Sequence, residues 1–261
     1  MGNITKPREK TIGARRFIGL ALDGLFPRPC VACENDRDGE GFFLCASCHS
    51  GVRRIVSPIC DLCGQPGEMD YDYPGEEFVC GLCRHEPYAF QQARSLGYYE
   101  SALKLLIRHL KYRKQPGVMR EIRLLLDDYF AQEKLDRNGF IIIPIPLFAK
   151  RMKERGFDQA FLIAKELAGI LDLPVMSGLL TRVRDTPFQA SLARPKRLEN
   201  IKGSFLAKHP DQVKGRKILL VDDVLTTGST CNEAAKILKQ SKADCVHVFT
   251  LARAVKGRFS L

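Results

Sequence analysis

Lys217-Ile-Leu-Leu-Val-Asp222-Asp223-Val-Leu-Thr226-Thr227-Gly228-Ser229-Thr230 is the stretch on which the reading of this chain turns. It opens with four consecutive apolar residues after Lys217, the pattern of a strand buried on both faces over Lys217–Val221. That strand ends in two adjacent carboxylates, and four residues later a small, hydroxyl-rich loop opens a helix over Ser229–Leu238. Each part has a physical use. Carboxylates at the carboxyl end of a strand can accept hydrogen bonds from a vicinal diol. Small loop residues let backbone N–H groups close around a phosphate, and the helix N-terminus adds its dipole. A sugar phosphate presents a diol to one end of such a site and a phosphate to the other. An ordinary turn with Ser229 or Thr230 as helix cap accounts for T-G-S-T alone, but not for the ordered succession of apolar strand, paired acids and hydroxyl loop. The stretch lacks G-K-[ST] and G-x-G-x-x-G, so nucleotide P-loop and dinucleotide-binding readings lose support.

Working outward, Cys245–Leu251 reads as a final strand. Upstream, Gly139 opens the run Phe140-Ile-Ile-Ile, a buried strand closed by Pro144 and Pro146. Leu103, Leu106, Ile107 and Leu110 recur at helical spacing within 101–113. Further helices are expected over 118–130 and, as one long element, over 149–171. Residues 184–203 are polar and basic with little periodicity, which suits a loop or mobile arm. Strands alternating with helices predict an α/β fold with a parallel sheet and helices on both faces.

The front of the chain is different in kind. Eight of its 10 cysteines lie between Cys30 and Cys83, in two units: Cys30-x2-Cys33 with Cys45-x2-Cys48, and Cys60-x2-Cys63 with Cys80-x2-Cys83. A C-x-x-C hairpin puts two sulfurs on one side of a tight turn, and two hairpins complete a tetrahedral S4 shell suited to Zn2+. The repeat predicts a double zinc ribbon with two closed, structural sites. Sequential pairing of the hairpins is favoured over a cross-braced one, and spacing alone leaves both open. Cys45-Ala-Ser-Cys48-His49 also matches the haem attachment pattern C-x-x-C-H. That chemistry needs an export signal, and the neighbouring pairs explain Cys45 and Cys48 without it.

The formal net charge is +11, and it is unevenly spread: net −3 over residues 1–90, +7 over 91–155 and +7 over 156–261. Two S4 zinc sites, each formally −2, lower the total to about +7. A positive field over the last two thirds suits polyanions, either phosphorylated metabolites or nucleic acid. No run approaches the roughly 18 apolar residues of a spanning helix, so membrane insertion is not expected. Arg15-Arg16 is followed by only six apolar residues before Asp23, and Lys6 breaks the myristoylation pattern. Thr11–Phe26 therefore reads as a short amphipathic helix, and the protein as cytoplasmic. The organisation expected is 1–26 N-terminal helix, 27–90 double zinc ribbon and 91–261 α/β domain.

The acidic pair and its loop resemble the phosphoribosyl diphosphate (PRPP) signature of type I phosphoribosyltransferases. That resemblance implies that Asp222 and Asp223 hold the ribose hydroxyls, that Thr226, Thr227, Gly228, Ser229 and Thr230 hold the 5′-phosphate, and that the sheet carries a hood. Further residues point to one family within that fold: Ile143-Pro-Ile-Pro-Leu147 leading into Arg151-x3-Arg155-Gly156-Phe157-Asp158-Gln159, then Arg184, Thr186-Pro187, Gln189, Leu192, Arg197, Asn200 and Phe205. With the cysteine units in front, the chain from about Phe26 to Arg253 resembles the ComF family, amidophosphoribosyltransferase-like proteins linked to competence and DNA uptake. The family usually has Asn where Asp158 stands here. The resemblance implies a pyrophosphate loop after Pro146, in which Arg151 and Arg155 neutralise the leaving group; the alternative for both is a solvated place on a helix face. It also implies a mobile arm over 184–200, with Arg194, Lys196 and Arg197 as candidate contacts. Mg2+ would accompany PRPP, and a nitrogen nucleophile would displace pyrophosphate at the ribose C1 carbon. A glutamine-hydrolysing partner domain typically begins with a catalytic Cys. The sequence begins Met1-Gly2 and its front cysteines are committed to metal, so no ammonia-generating site is expected.

Three functions compete at this level. The first is a phosphoribosyltransferase acting on an unknown acceptor. The second is a non-catalytic protein that holds single-stranded nucleic acid on its ribbons and basic surface, with Tyr98, Tyr99 and Tyr112 near the basic helix around Lys104–Lys114. The third is a regulator that senses PRPP and acts on a partner such as the competence machinery.

Overall fold

The computed structural model describes residues 29–37, 43–67, 78–132, 138–186 and 199–255. The expected helix over Thr11–Phe26 and the candidate contacts Arg194, Lys196 and Arg197 lie outside these residues. Among the described residues no helix is long and apolar enough to cross a membrane.

Among the described residues four parallel strands form the sheet: β1 (Gln92–Tyr98), β2 (Phe140–Pro144), β5 (Lys217–Leu225) and β6 (Cys245–Arg253), in the order β1-β6-β5-β2. A small antiparallel pair, β3 (Leu180–Arg182) and β4 (Phe205–Ala207), stands apart from it as the hood. Among the described residues the named helices, in chain order, are α1 (Ala46–Ser50), α2 (Gly81–His85), α3 (Ser101–Tyr112), α4 (Met119–Gln132), α5 (Ala149–Arg155), α6 (Gln159–Leu171), α7 (Pro210–Val213) and α8 (Ser229–Gln240).

The alternation of strand side chains divides the core in two. Ile142, Leu219, Val221, Phe249 and Leu251 face α3, α4 and α6. Ile141, Ile143, Ile218, Leu220, Val246 and Val248 face α8 and the hood. On α3, Leu103, Leu106 and Leu110 are completely covered, each contributing roughly 1.5–3 kcal/mol by leaving water. The chain leaves β2 through α6 on one face and leaves β5 through α8 on the other. Such a reversal opens a crevice at the carboxyl ends of the two strands, the usual ligand position in an open α/β sheet.

The ribbons straddle the β1 edge. Cys30 and Cys45 belong to the α3/α4 core, and Cys60, Cys63 and Cys83 to the α8 core. Between them, Arg53–Ile55 pairs antiparallel with the end of β1: Tyr98 N–H donates to Arg53 O at 3.0 Å, and Arg54 bridges Gly97. Ala93 N–H donates to Leu62 O at 2.7 Å. Only glycine fits at 97, since a Cβ there would stand 2.7 Å from Arg53 O. An exposed sheet edge is a hazard, and the ribbon covers this one.

Several sequence readings are corrected. The run 149–171 is two helices, because the backbone turns left-handed at Gly156 and Asp158 caps a new start. β5 continues through the two acids to Leu225 instead of stopping at Val221. Residues 199–201 within the expected loop are helical.

Candidate functional site

β2 ends level with Val221, where Ile145 N–H donates to Val221 O at 2.8 Å. Asp222 and Asp223 are the next residues of β5 and so mark the crevice floor. Strand alternation sends their side chains to opposite faces, and Asp223 N–H donates back to Asp222 Oδ1 at 2.8 Å. Asp223 is buried against α3, where Lys111 Nζ stands 2.7 Å from Oδ1. Its other oxygen, Oδ2, is buried with no hydrogen-bond partner among the described residues. Burial alone would lower the Lys111 pKa, but the charge of Asp223 outweighs it and the direction is upward. Desolvation, and then the negative charge of Asp223, push Asp222 up to about 7. Asp222 is thus poised between its neutral and charged forms near neutrality.

Gly228 follows in the left-handed region at φ 74° and forms the cap of α8. The first N–H groups of α8, which lack intrahelical acceptors, follow directly on this turn. Thr227 Oγ1 and Ser229 Oγ are hydrogen-bonded at 2.7 Å. Tyr88, from the segment that follows the second cysteine unit, donates its hydroxyl to Thr227 O at 2.9 Å. Its ring lies where a Cβ on Gly228 would be, 2.9 Å from that position.

After β2, the expected pyrophosphate loop is helical from Ala149, and α5 carries Arg151, which donates from Nη2 to Thr186 O at 2.9 Å and pairs through Nε with Asp185 Oδ1 at 3.3 Å. Arg151 thereby ties the β2 side of the crevice to the segment after β3. Arg155 turns along its own segment to Gln159 Oε1. Asp158 caps α6 by accepting from Phe161 N–H at 3.2 Å and also accepts from Leu147 N–H at 3.3 Å. It closes the loop with backbone bonds to a carboxylate, so an amide is not required here. From the hood, Arg182 donates to Thr186 Oγ1 and lies over the Phe205 ring, while its Nε is buried without a partner among the described residues. Burial, and then the charge of Arg151, lower its pKa.

The cysteines form two separate groups, Cys30/Cys33/Cys45/Cys48 and Cys60/Cys63/Cys80/Cys83, with all Sγ atoms of each group within 4.8 Å of one another. The pairing is therefore sequential. Cys33–Cys45 and Cys63–Cys80 Sγ atoms are 3.7 Å apart, close to the roughly 3.75 Å edge of a tetrahedron with Zn–S bonds of about 2.3 Å. The residues present fit zinc in both places. His49 is engaged elsewhere: Nδ1 meets Glu121 Oε1 at 2.7 Å and Nε2 meets Asp128 Oδ2 at 3.3 Å. Fully buried Glu121 also accepts from Phe43 N–H at 3.0 Å. The C-x-x-C-H motif thus docks the first ribbon on α4.

Lys111, Tyr88, Glu121 and Arg253 escaped the sequence reading. Lys111 directly follows Leu110 of the apolar stripe, which is a signal for a half-turned-in cation. Tyr88 and Arg253 meet their partners only through tertiary contacts. Of the aromatic residues read as a nucleic-acid surface, Tyr98 is buried with Arg53 over its ring. Tyr112 is 65% exposed.

Comparison with known proteins agrees with this architecture. Residues 21–86 match the double zinc ribbon domain, and residues 158–259 match the phosphoribosyl transferase domain. Competence protein F of Haemophilus influenzae is 32% identical over 231 residues, covering 86% of this chain and 96% of that protein. The DNA utilization protein YhgH of Salmonella typhi is 32% identical over 236 residues, 88% of this chain and 98% of that one. Competence protein ComFC of Bacillus subtilis is 29% identical over 249 residues, 88% and 97%. A double zinc ribbon followed by a phosphoribosyl transferase domain, with 32% identity to Competence protein F along almost the whole length of both chains, makes this protein a member of the ComF family.

Proposed function

We propose that the chain binds PRPP at the carboxyl ends of β2 and β5 and transfers its phosphoribosyl group to a nitrogen acceptor, in the service of DNA uptake. The observation that carries the reading is the passage from Asp222–Asp223 through left-handed Gly228 into α8, beside a crevice made by a change of face in the sheet. Thr226–Thr230 hold the 5′-phosphate with loop hydroxyls and helix-terminal N–H groups. Asp222 and Asp223 accept from the ribose hydroxyls. The ribose C1–O bond breaks, pyrophosphate leaves, the acceptor nitrogen bonds to C1, and the nitrogen gives up a proton. Side chains supply position and charge, with no protein nucleophile. A divalent cation, bound with the diphosphate, supplies positive charge to the leaving group. The unpartnered Asp223 Oδ2 is an acceptor suited to its hydration shell. Arg151 offers the diphosphate a guanidinium fork on the β2 side. This reading puts the protein in the cytoplasm, where thiolate sites stay reduced.

The test is calorimetric titration of zinc-loaded protein with PRPP and Mg2+, beside Asp222→Asn/Asp223→Asn. Saturable binding lost in the double variant supports the site. Failure to bind in folded, zinc-replete protein overturns it. Binding without pyrophosphate release on any nitrogen acceptor supports a PRPP-sensing role instead. A second reading, single-strand binding, is favoured by the end of α3 and the residues just after it, where Arg108, Tyr112, Arg113 and Lys114 are all exposed. The names of the relatives point the same way. A steep fall of oligonucleotide affinity with salt, reduced by charge removal on this face, is its signature.

A further inference from the structure

The second ribbon reaches the Thr226–Thr230 loop through the segment that follows it, and reaches the end of β5 through Arg253. After Cys83, the segment reaches Tyr88, whose hydroxyl donates to Thr227 O at 2.9 Å and whose ring closes over Gly228. That ring is stacked on Phe90 at 4.5 Å, which fixes its plane. One residue on, Ala89 N–H donates to Asn232 Oδ1 at 2.7 Å, in the first turn of α8. At the other end of the loop, Leu225 lies opposite Arg253 in the β5/β6 register, and Leu225 O accepts from Ala254 N–H at 3.0 Å. Arg253 is buried and returns to the ribbon: Nη1 donates to Cys63 O, Nη2 stands 3.5 Å from Cys63 Sγ, and Nε donates to Gln65 Oε1 at 3.1 Å. The loop, the strand leading into it and the helix leading out are thus all tied to one four-cysteine group. The first ribbon is anchored on the opposite face, through Glu121 and His49.

We infer that the second zinc ribbon is the positioning element of the phosphate loop, that Tyr88 is its point of contact, and that metal at this site, but not at the first, sets how firmly the loop is held. The assignment of the loop to a phosphate rests on the function proposed above. The mechanical coupling does not. Zinc draws Cys60, Cys63, Cys80 and Cys83 together, which fixes both the Tyr88 segment and the acceptors of Arg253. Losing the metal frees both ends of the frame. Because coupling between sites is reciprocal, a ligand in the loop slows zinc loss from the second ribbon alone.

The experiment compares amide hydrogen exchange over Thr226–Thr230 in ligand-free wild type, Tyr88→Phe, Cys80→Ser/Cys83→Ser and Cys45→Ser/Cys48→Ser, with zinc content measured on each. Tyr88→Phe keeps the ring and both metals, and exchange of the loop rises about fivefold, the worth of one hydrogen bond. The Cys80/Cys83 variant speeds it at least as much, and the Cys45/Cys48 variant leaves it at the wild-type rate. Equal loop exchange in wild type and Tyr88→Phe overturns the inference, as does equal loosening by both cysteine variants. PRPP titration of wild type and Tyr88→Phe separates the two ideas. Wild type that fails to bind PRPP while its loop still follows Tyr88 refutes the phosphate reading alone. Wild type that binds PRPP, with affinity and loop exchange indifferent to Tyr88, refutes the coupling alone.

Discussion

Replacing Asp222 by Asn is expected to stabilise the ligand-free protein, and to do so more strongly as the pH rises. The carboxyl group sits near 3.8 in a solvated chain and is pushed up to about 7 in the fold by desolvation and by Asp223. A raised acid is penalised by ionisation. The penalty is absent below the unfolded pKa, grows as pH climbs from about 4 to 7, and is complete above the folded pKa. With about 1.36 kcal/mol per pKa unit, it is roughly 2 kcal/mol at pH 5.5 and roughly 4 kcal/mol at pH 8.5. Asn carries no such penalty at any pH, and its Oδ1 can still accept from the Asp223 N–H that lies 2.8 Å from the native oxygen. Any change in packing contributes equally at both pH values and cancels in the difference. The variant's advantage should therefore widen by about 2 kcal/mol between pH 5.5 and 8.5, which for a chain of this size is about 4–8 °C in Tm. Thermal unfolding of zinc-replete protein across this range, with metal content checked at each pH, reads the effect. A Tm difference that stays flat with pH, or that narrows as pH rises, would refute the assignment of strain to the ionised pair.

Removing the counter-ion should act in the other direction. Lys111→Met leaves buried Asp223 without a cation and should cost about 3–5 kcal/mol in urea unfolding, with partial recovery when Asp223→Asn is added. Gly228→Ala forces a side chain into a left-handed backbone and against the Tyr88 ring. PRPP affinity by calorimetry should fall about tenfold or more, and unchanged affinity would remove the loop from the site. His49→Ala strips Glu121 of its 2.7 Å partner and should cost about 1–3 kcal/mol while both metals stay bound. Metal analysis should give two zinc ions per wild-type chain, from the two groups of cysteines, and one after Cys63→Ala.

The parts of this molecule legible in sequence are those whose chemistry is local. Lys217–Val221 could be seen as a strand because a buried parallel strand is apolar on both faces, and the S4 groups because each sulfur pair is set by a turn of four residues. β1 gave no such signal. Gln92, Arg94, Ser95 and Gly97 are poor strand formers, and they pair here because β6 and the ribbon supply hydrogen bonds from both sides. The break between α5 and α6 was hidden by continuous helical periodicity and hinges on one left-handed residue, Gly156. The acids were visible as a pair, but Lys111, 112 positions from Asp223, was visible only as part of a basic helix. The hood strands are three residues long, too short for any alternation to register.

The coverage of β1 also bears on the order in which the chain can assemble during synthesis. Ser95 and Thr250, neighbours across β1 and β6, are 155 residues apart. At about 5–20 residues per second, β1 leaves the ribosome on the order of 8–30 s before its sheet partner exists. The strip Arg53–Ile55 is made earlier than β1 and, once its knuckles hold metal, offers ready backbone partners. The ribbon is then a cradle made in advance, and zinc supply during translation becomes a condition for the sheet to start from its correct edge.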